Sequence, residues 1–212
     1  GENFLYSEYK EGEGWIGPRF GFSQSIDKRI EAVPTSSVDR LSLENISAEF
    51  NIMGLSNDVL QFNDHSLEVS VGPSSTNFNA VFDTLFDGYS YIHKKLSLDM
   101  NDIGSFLTYF EFLPRKPLNV SADWIGIGYI KLTYPRKYDF TNESYFNFKA
   151  KAYNSNRNIE FVNYGKGGLT KPFVFDVENN WFYKPTVTGR DFTITLPARS
   201  KESKIVVEDE DK

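Results

Sequence analysis

A chain of 212 residues is long enough to bury a self-sufficient core, and 40% of it is hydrophobic and 16% aromatic. Its formal net charge of −6 argues against a nucleic-acid partner, because phosphate binding rests on clustered Lys and Arg. The complete absence of Cys excludes disulfide scaffolds, thiol catalysis and cysteine-ligated zinc.

Nineteen Phe and twelve Tyr, with many Val, Ile and Thr, favour pleated, half-buried surfaces over helices. No run approaches the ~18 apolar residues of a transmembrane helix, and no basic-then-apolar signal sequence opens the chain. The opening Gly1-Glu2-Asn3, without an initiator Met, reads as a trimmed or mature end.

Period-two alternation recurs along the chain and predicts strands. Ile46, Ala48, Phe50 and Ile52 share one face of the first candidate, and Leu67, Val69 and Val71 share one face of the next. The turn signal Gly72-Pro73-Ser74-Ser75 follows, after which Phe78, Ala80 and Phe82 continue the pattern. Asp99–Leu107 has room for one helical turn. Residues 104–112 and 124–134 are the strongest strand predictions. In the second, both faces are apolar or small, which suits a central strand, and Gly126 and Gly128 mark a bulge or a close backbone approach. Phe146, Phe148, Ala150 and Ala152 oppose Tyr145, Asn147, Lys149 and Lys151 as a clean inside/outside split. Phe173–Val177, Phe192–Leu196 and Ile205–Val207 supply the late strands. About ten to twelve short strands broken by Gly, Pro and Asn clusters predict an all-β, two-sheet sandwich of the jelly-roll kind. Residues 1–204 are expected to form it as a single domain, with 205–212 holding the last strand residues and an acidic tail or linker.

Few residues offer chemistry. The segment Asn63-Asp64-His65-Ser66 contains the residue types of a hydrolytic triad, but triads are recognised by geometry and sequence neighbours rarely face one another in a turn. His93 is expected in a strand with a structural role. Two isolated His do not make a zinc site, and no metal or cofactor is expected. Asp99-Met100-Asn101-Asp102-Ile103-Gly104 fails as a calcium loop, because Ile103 occupies a ligand position and Phe110 stands where the bidentate Glu belongs. Gly165-Lys166-Gly167-Gly168-Leu169-Thr170 lacks the order of a phosphate loop and reads as a hairpin connection. The basic pairs Arg115-Lys116 and Arg136-Lys137 read as solvated turns. Nothing in the spacing of 29 carboxylates selects a catalytic pair. Among the aromatic residues, Trp124 and Trp181 are candidates for stacking on a glycan, against the commoner alternative of core packing. Tyr134-Pro135-Arg136-Lys137-Tyr138 is a basic, aromatic turn suited to an interface.

Three segments carry a family resemblance: Gly12-Glu13-Gly14-Trp15-Ile16-Gly17-Pro18-Arg19-Phe20, Ile127–Arg136, and Phe173-Val174-Phe175-Asp176-Val177. In order and spacing they resemble the non-catalytic N-terminal region of gingipain-like cysteine peptidases of clan C25, nearest to the type IX secretion sortase. The chain departs from that pattern where Ile16-Gly17-Pro18 replaces Phe-Gly-Glu, where Tyr134-Pro135-Arg136 replaces paired Arg, and where Phe175 stands for Trp. The family's catalytic His and Cys lie in a downstream domain, so no catalytic residue carries over. The resemblance implies an extracytoplasmic accessory domain of the Bacteroidetes cell envelope that packs against a catalytic domain of the same polypeptide or an envelope protein. Trp15, Arg19, Tyr134, Arg136, Lys137, Tyr138 and Asp176 are then its interface candidates. Asp83-Thr84-Leu85 resembles an O-glycosylation sequon, with Thr84 as acceptor. The alternative role is a free-standing carbohydrate-binding module, which predicts two or three exposed aromatics on a concave face. A third, a carboxylate-based hydrolase, requires two acids converging in a cleft.

Overall fold

The computed structural model describes residues 16–23, 25–115, 120–140, 145–165 and 171–209. Among the described residues, sixteen strands and one short 3-10 turn make the fold all-β, and every pairing between these strands is antiparallel. The strands form β-sandwich layers, more numerous than the ten to twelve expected because several are only two or three residues long. Where residues 1–204 are predicted as one domain, the chain instead gathers into two compact units, Gly1–Pro135 and Arg136–Lys212. The division falls between Pro135 and Arg136, in a segment with none of the Gly/Ser-rich composition of a linker.

The first unit holds β1 (Phe20–Phe22), β2 (Ile26–Asp27), β3 (Arg29–Pro34), β4 (Ile46–Gly54), β5 (His65–Ser74), β6 (Asn77–Phe86), β7 (Tyr91–Leu98), β8 (Leu107–Pro114) and β9 (Asp123–Thr133). A five-stranded sheet in the order β2-β1-β9-β4-β7 faces a four-stranded sheet in the order β3-β8-β5-β6. From β3 to β9 every link except β5–β6 crosses between the sheets, as in jelly rolls. The alternation read from the sequence explains the core. Ala48, Phe50 and Ile52 of β4 and Leu67, Val69 and Val71 of β5 are fully buried, packed with Phe110 and Phe112 of β8. Phe50 and Phe112 meet edge-to-face at 6.0 Å, the geometry aromatic pairs prefer.

Two local irregularities break the simple period. In β9 the register against β4 shifts between Asn51 and Ile52, and Gly128 is the extra residue. Gly126 is a close approach, since a Cβ there would lie 2.2 Å from Ile16 Cγ2. Both readings of that glycine pair therefore hold. In β6 the register against β5 shifts at Val81, so Phe82 packs on the core while Ala80 is exposed and Phe78 falls on the opposite face. The expected Phe78-Ala80-Phe82 face is corrected by that bulge. The helical turn expected near residues 99–107 is Met100–Asp102. Asp99 caps it and Asp102 bonds back to the Asp99 N–H, so these carboxylates serve a capping box.

The second unit holds β10 (Tyr145–Ala150), β11 (Arg157–Phe161), β12 (Pro172–Asp176), β13 (Trp181–Tyr183), β14 (Thr186–Thr188), β15 (Asp191–Leu196) and β16 (Ser203–Asp209). One sheet runs β10-β16-β12-β13 and the other β11-β15-β14. Between them lies an aromatic core in which Phe161 and Phe192 stack at 4.6 Å and Phe140 and Tyr164 meet edge-to-face at 4.7 Å. Phe146 and Phe148 of β10 pack on this core while Tyr145, Asn147 and Lys149 are exposed, as the alternation predicts. The strand expected at Ile205–Val207 is present and central: β16 lies between β10 and β12, buries Ile205 and Val207 completely, and runs on to Asp209 into the segment expected to be an acidic tail. Residues 210–212 lie outside the described residues.

Candidate functional site

In the second unit, the hairpin between β12 and β13 and the connection from β15 to β16 enclose an open cleft of about 800 Å³. Its lining includes Glu178, Asn179, Trp181, Tyr183, Arg199 and Lys201. That volume lies in the upper part of the ~300–1,000 Å³ range of small-molecule sites.

The hairpin is built by turn chemistry. Asp176 and Trp181 are paired across the four-residue loop Val177-Glu178-Asn179-Asn180. Asp176 Oδ1 accepts the Asn179 backbone N–H at 3.2 Å, and Asn180 adopts the left-handed conformation at φ 50° that Asn tolerates. Across the cleft, Arg199 is fixed by a two-way backbone bridge to Tyr153, and Ala198 N donates to Asn156 Oδ1.

Beneath the cleft these two segments meet in one polar network. Asp176 is wholly buried, and its Oδ2 accepts from Tyr183 Oη at 3.0 Å, Arg199 Nη1 at 3.2 Å and Ser203 Oγ at 3.2 Å. Arg199 Nη2 also donates to Tyr183 Oη at 2.8 Å, and Asn179 Nδ2 reaches both carboxylate oxygens at 3.0 Å. Burial by itself would raise the Asp176 pKa, but the bonds from Asn179 and Tyr183 and the charge of Arg199 hold it below the ordinary carboxylate range. Tyr183 is pushed the other way, first by burial and then by its bond to Asp176. The floor is thus a preorganised set of groups with little freedom to rearrange.

Trp181 stands on the edge strand above this floor and is 62% exposed. An exposed indole offers a flat apolar plane on which another apolar face can stack. The cleft therefore combines one accessible aromatic plane, where a carbohydrate-binding module is expected to show two or three, with a polar floor whose groups already bond one another. Of the sequence-predicted residues, Asp176 and Trp181 are the two brought together here, Asp176 as a floor group and not as a surface contact.

The remaining candidates lie elsewhere. Trp15 is outside the described residues. Arg19 is exposed and its guanidinium covers the Trp124 ring at 4.6 Å, so that face of the half-buried Trp124 is already stacked. Tyr134 is half-buried against Val38, Ile46 and Ile103 in the first unit, and its hydroxyl donates to the Ser36 carbonyl. Arg136 stacks on Phe146 at 4.8 Å and donates to the Asp139 carbonyl. Tyr138 packs on Phe148 and Phe161 at the edge of the second core. Lys137 is exposed between these two anchored residues. Thr84 lies within β6, half-buried, with its hydroxyl donating to the Leu85 carbonyl. Gly165 takes a left-handed φ of 69° and its carbonyl accepts from Arg190 Nη2; residues 166–170 lie outside the described residues.

His65 does not face a nucleophile. It is fully buried, stacked on Phe86 at 4.6 Å. Nδ1 lies 2.5 Å from Asp123 Oδ1, and Nε2 points at the carbonyls of Ser56 and Gly88 at 3.0 and 2.9 Å. Carbonyl oxygens only accept, so Nε2 carries a proton, and the facing carboxylate favours a second one on Nδ1. Burial pulls the pKa down, yet the bond and charge of Asp123 and the charge of Asp64 outweigh it and raise it above the usual value. Asp64 accepts the backbone N–H groups of Asp58 and Gly88. This cluster pins loop 55–64 to β5 and β9. His93, on β7, pairs instead with Glu49 at 3.1 Å on an exposed sheet face, where Tyr129 also donates to Glu49.

Sequence reasoning missed Arg199, Tyr183 and the strand that carries Trp181. The turn signal Glu178-Asn179-Asn180 between two aromatic segments was available to find the hairpin. Nothing local marks Arg199, whose partner Asp176 lies 23 positions away. Among the described residues no group of three or more His, Cys, Asp or Glu side chains is placed to hold a metal, and no described helix is long and apolar enough to cross a membrane.

Compared with known proteins, the chain matches no family model and no curated protein. Among solved structures it is similar to TmCBM61, a carbohydrate-binding module solved in complex with β-1,4-galactotriose. That likeness has a TM-score of 0.36 and 10% sequence identity, and it covers 55% of this chain and 68% of that one.

Proposed function

We propose that the protein is a glycan-binding module that takes an oligosaccharide segment into the Trp181 cleft. The observation that carries this reading is the 62% exposed Trp181 on the rim of an open cleft with a rigid polar floor. Sugars present an apolar C–H face and a belt of hydroxyls. The indole stacks on the first, and the exposed Glu178, Lys201 and Glu202 of the cleft lining bond the second above a floor that is fixed before binding. Such a module acts outside the cytoplasm, on a cell-envelope or extracellular polysaccharide.

The test is affinity electrophoresis of the full chain through gels containing neutral and acidic polysaccharides, repeated with Trp181→Ala. A buried aromatic anchor contributes about 2 kcal/mol or more, so the variant should bind roughly thirtyfold more weakly. Retention by no polysaccharide, or retention that Trp181→Ala leaves unchanged, refutes the proposal. A hydrolase at the same place would use two acids, and Glu178 and Glu202 both line the cleft. Each is held elsewhere, Glu178 by the Lys204 N–H and Glu202 by Lys149. Release of reducing ends from a retained polymer, lost in Glu178→Gln or Glu202→Gln, would favour the hydrolase instead.

A further inference from the structure

Resting on the glycan reading, we infer that the cleft selects uncharged oligosaccharides and rejects those bearing carboxylate or sulfate groups. The charges that line it are Glu178 and Glu202 against Arg199 and Lys201. Arg199 is the group best shaped to clamp a carboxylate in two-pronged fashion. Its side chain is only 7% exposed, and its terminal nitrogens already serve Asp176, Tyr183 and Ser203. The strongest cation in the cleft is therefore spent inside the protein.

What is left to meet a ligand is balanced. Lys201 is exposed, but the neighbouring Glu202 is exposed too and is shared with Lys149 at 3.1 Å. Glu178 stands on the opposite segment, exposed, with its carboxylate turned to the Lys204 N–H. An anionic sugar entering the cleft finds no unbalanced cation, because the Lys201 ammonium is matched by the Glu178 carboxylate in the same cleft and Glu202 is already offset by Lys149. The desolvation of its carboxylate or sulfate therefore opposes binding with nothing to compensate it. A neutral sugar meets no such opposition, and its hydroxyls satisfy the acceptor oxygens of Glu178 as donors.

The experiment uses pairs of polymers that share a backbone and differ in charge: hydroxyethylcellulose with carboxymethylcellulose, and carboxyl-reduced with native polygalacturonate. The intact protein and Trp181→Ala are run against each at 20 and 200 mM salt, concentrations that bracket strong and weak screening. The expected result is retention by a neutral member at least about tenfold stronger than by its acidic counterpart, insensitive to salt and lost in Trp181→Ala. Lys201→Gln should leave that retention within about twofold. Preferential retention by the acidic member, weakened by salt and by Lys201→Gln yet still dependent on Trp181, overturns the selectivity while leaving the glycan site standing. Retention by neither member of either pair overturns the selectivity, the glycan reading then standing or falling on the wider polysaccharide panel, and retention independent of Trp181 overturns both.

Discussion

Replacing Asp176 by Asn keeps the shape of the side chain and removes its charge. The wild-type carboxylate accepts from Tyr183, Arg199 and Ser203 on one oxygen and from Asn179 on both, all inside a site where Asp176 is 0% and the Arg199 side chain 7% exposed. An Asn can turn its carbonyl to Asn179, but its NH2 then confronts donors that need an acceptor. Breaking a buried ion pair by removing one partner costs about 3–5 kcal/mol, because the other charge is left uncompensated. Against a domain stability of about 5–15 kcal/mol this is a large fraction. With a urea dependence of about 1–3 kcal/mol per M, the midpoint should fall by at least ~1 M. The loss should also depend on pH with a definite sign. The native pKa of Asp176 lies below its unfolded value near 3.8, so the carboxylate stabilises the fold above that pH. The contribution disappears as the pH drops through the native pKa. Urea melts of wild type and Asp176→Asn at pH 7 and at pH 3, followed by circular dichroism, should show a gap that narrows in acid. A pH 7 difference under ~1 kcal/mol, or a gap unchanged at pH 3, would refute the account of the cleft floor as a buried, charge-balanced network.

Other outcomes follow from the two cores and from His65. Because the pKa of His65 is raised on folding, its contribution is complete below pH 6.5 and is lost as the pH rises through the higher native value. His65→Gln should flatten that alkaline slope in a stability-versus-pH series, and an unchanged slope would assign it to other groups. Gly54→Ala should destabilise by about 1–3 kcal/mol, because its Cβ would lie 1.9 Å from the Gly88 carbonyl and 2.5 Å from His65 Nε2. A thermal melt within a degree of wild type would show that the strand end yields without strain. Phe161→Ala removes a wholly buried ring stacked on Phe192 and should cost about 3–5 kcal/mol in urea unfolding. A cost under ~1 kcal/mol would mean that the second core closes over the space.

What the sequence determined by itself is the local alternation. Ala48-Phe50-Ile52, Leu67-Val69-Val71 and Phe146-Phe148 occupy the faces their spacing assigns, because side chains in a strand point to opposite sides of the sheet and only one side is apolar. It also fixed the special backbone at Gly126 and Gly128, since glycine in an apolar strand has few other uses. The tertiary structure decided which strands share a sheet, and so why residues 205–207 became the middle of one and why the chain divides at Pro135. Strand pairing is a long-range choice that no window of residues contains. The same holds for the cleft. Trp181 could be suspected from its residue type, but its exposure and the convergence of Asp176, Tyr183, Arg199 and Ser203 depend on two connections meeting at one end of a sandwich. The shift at Val81, which reverses the expected face of Phe78, is likewise set by pairing with β5 and not by any property of β6 alone.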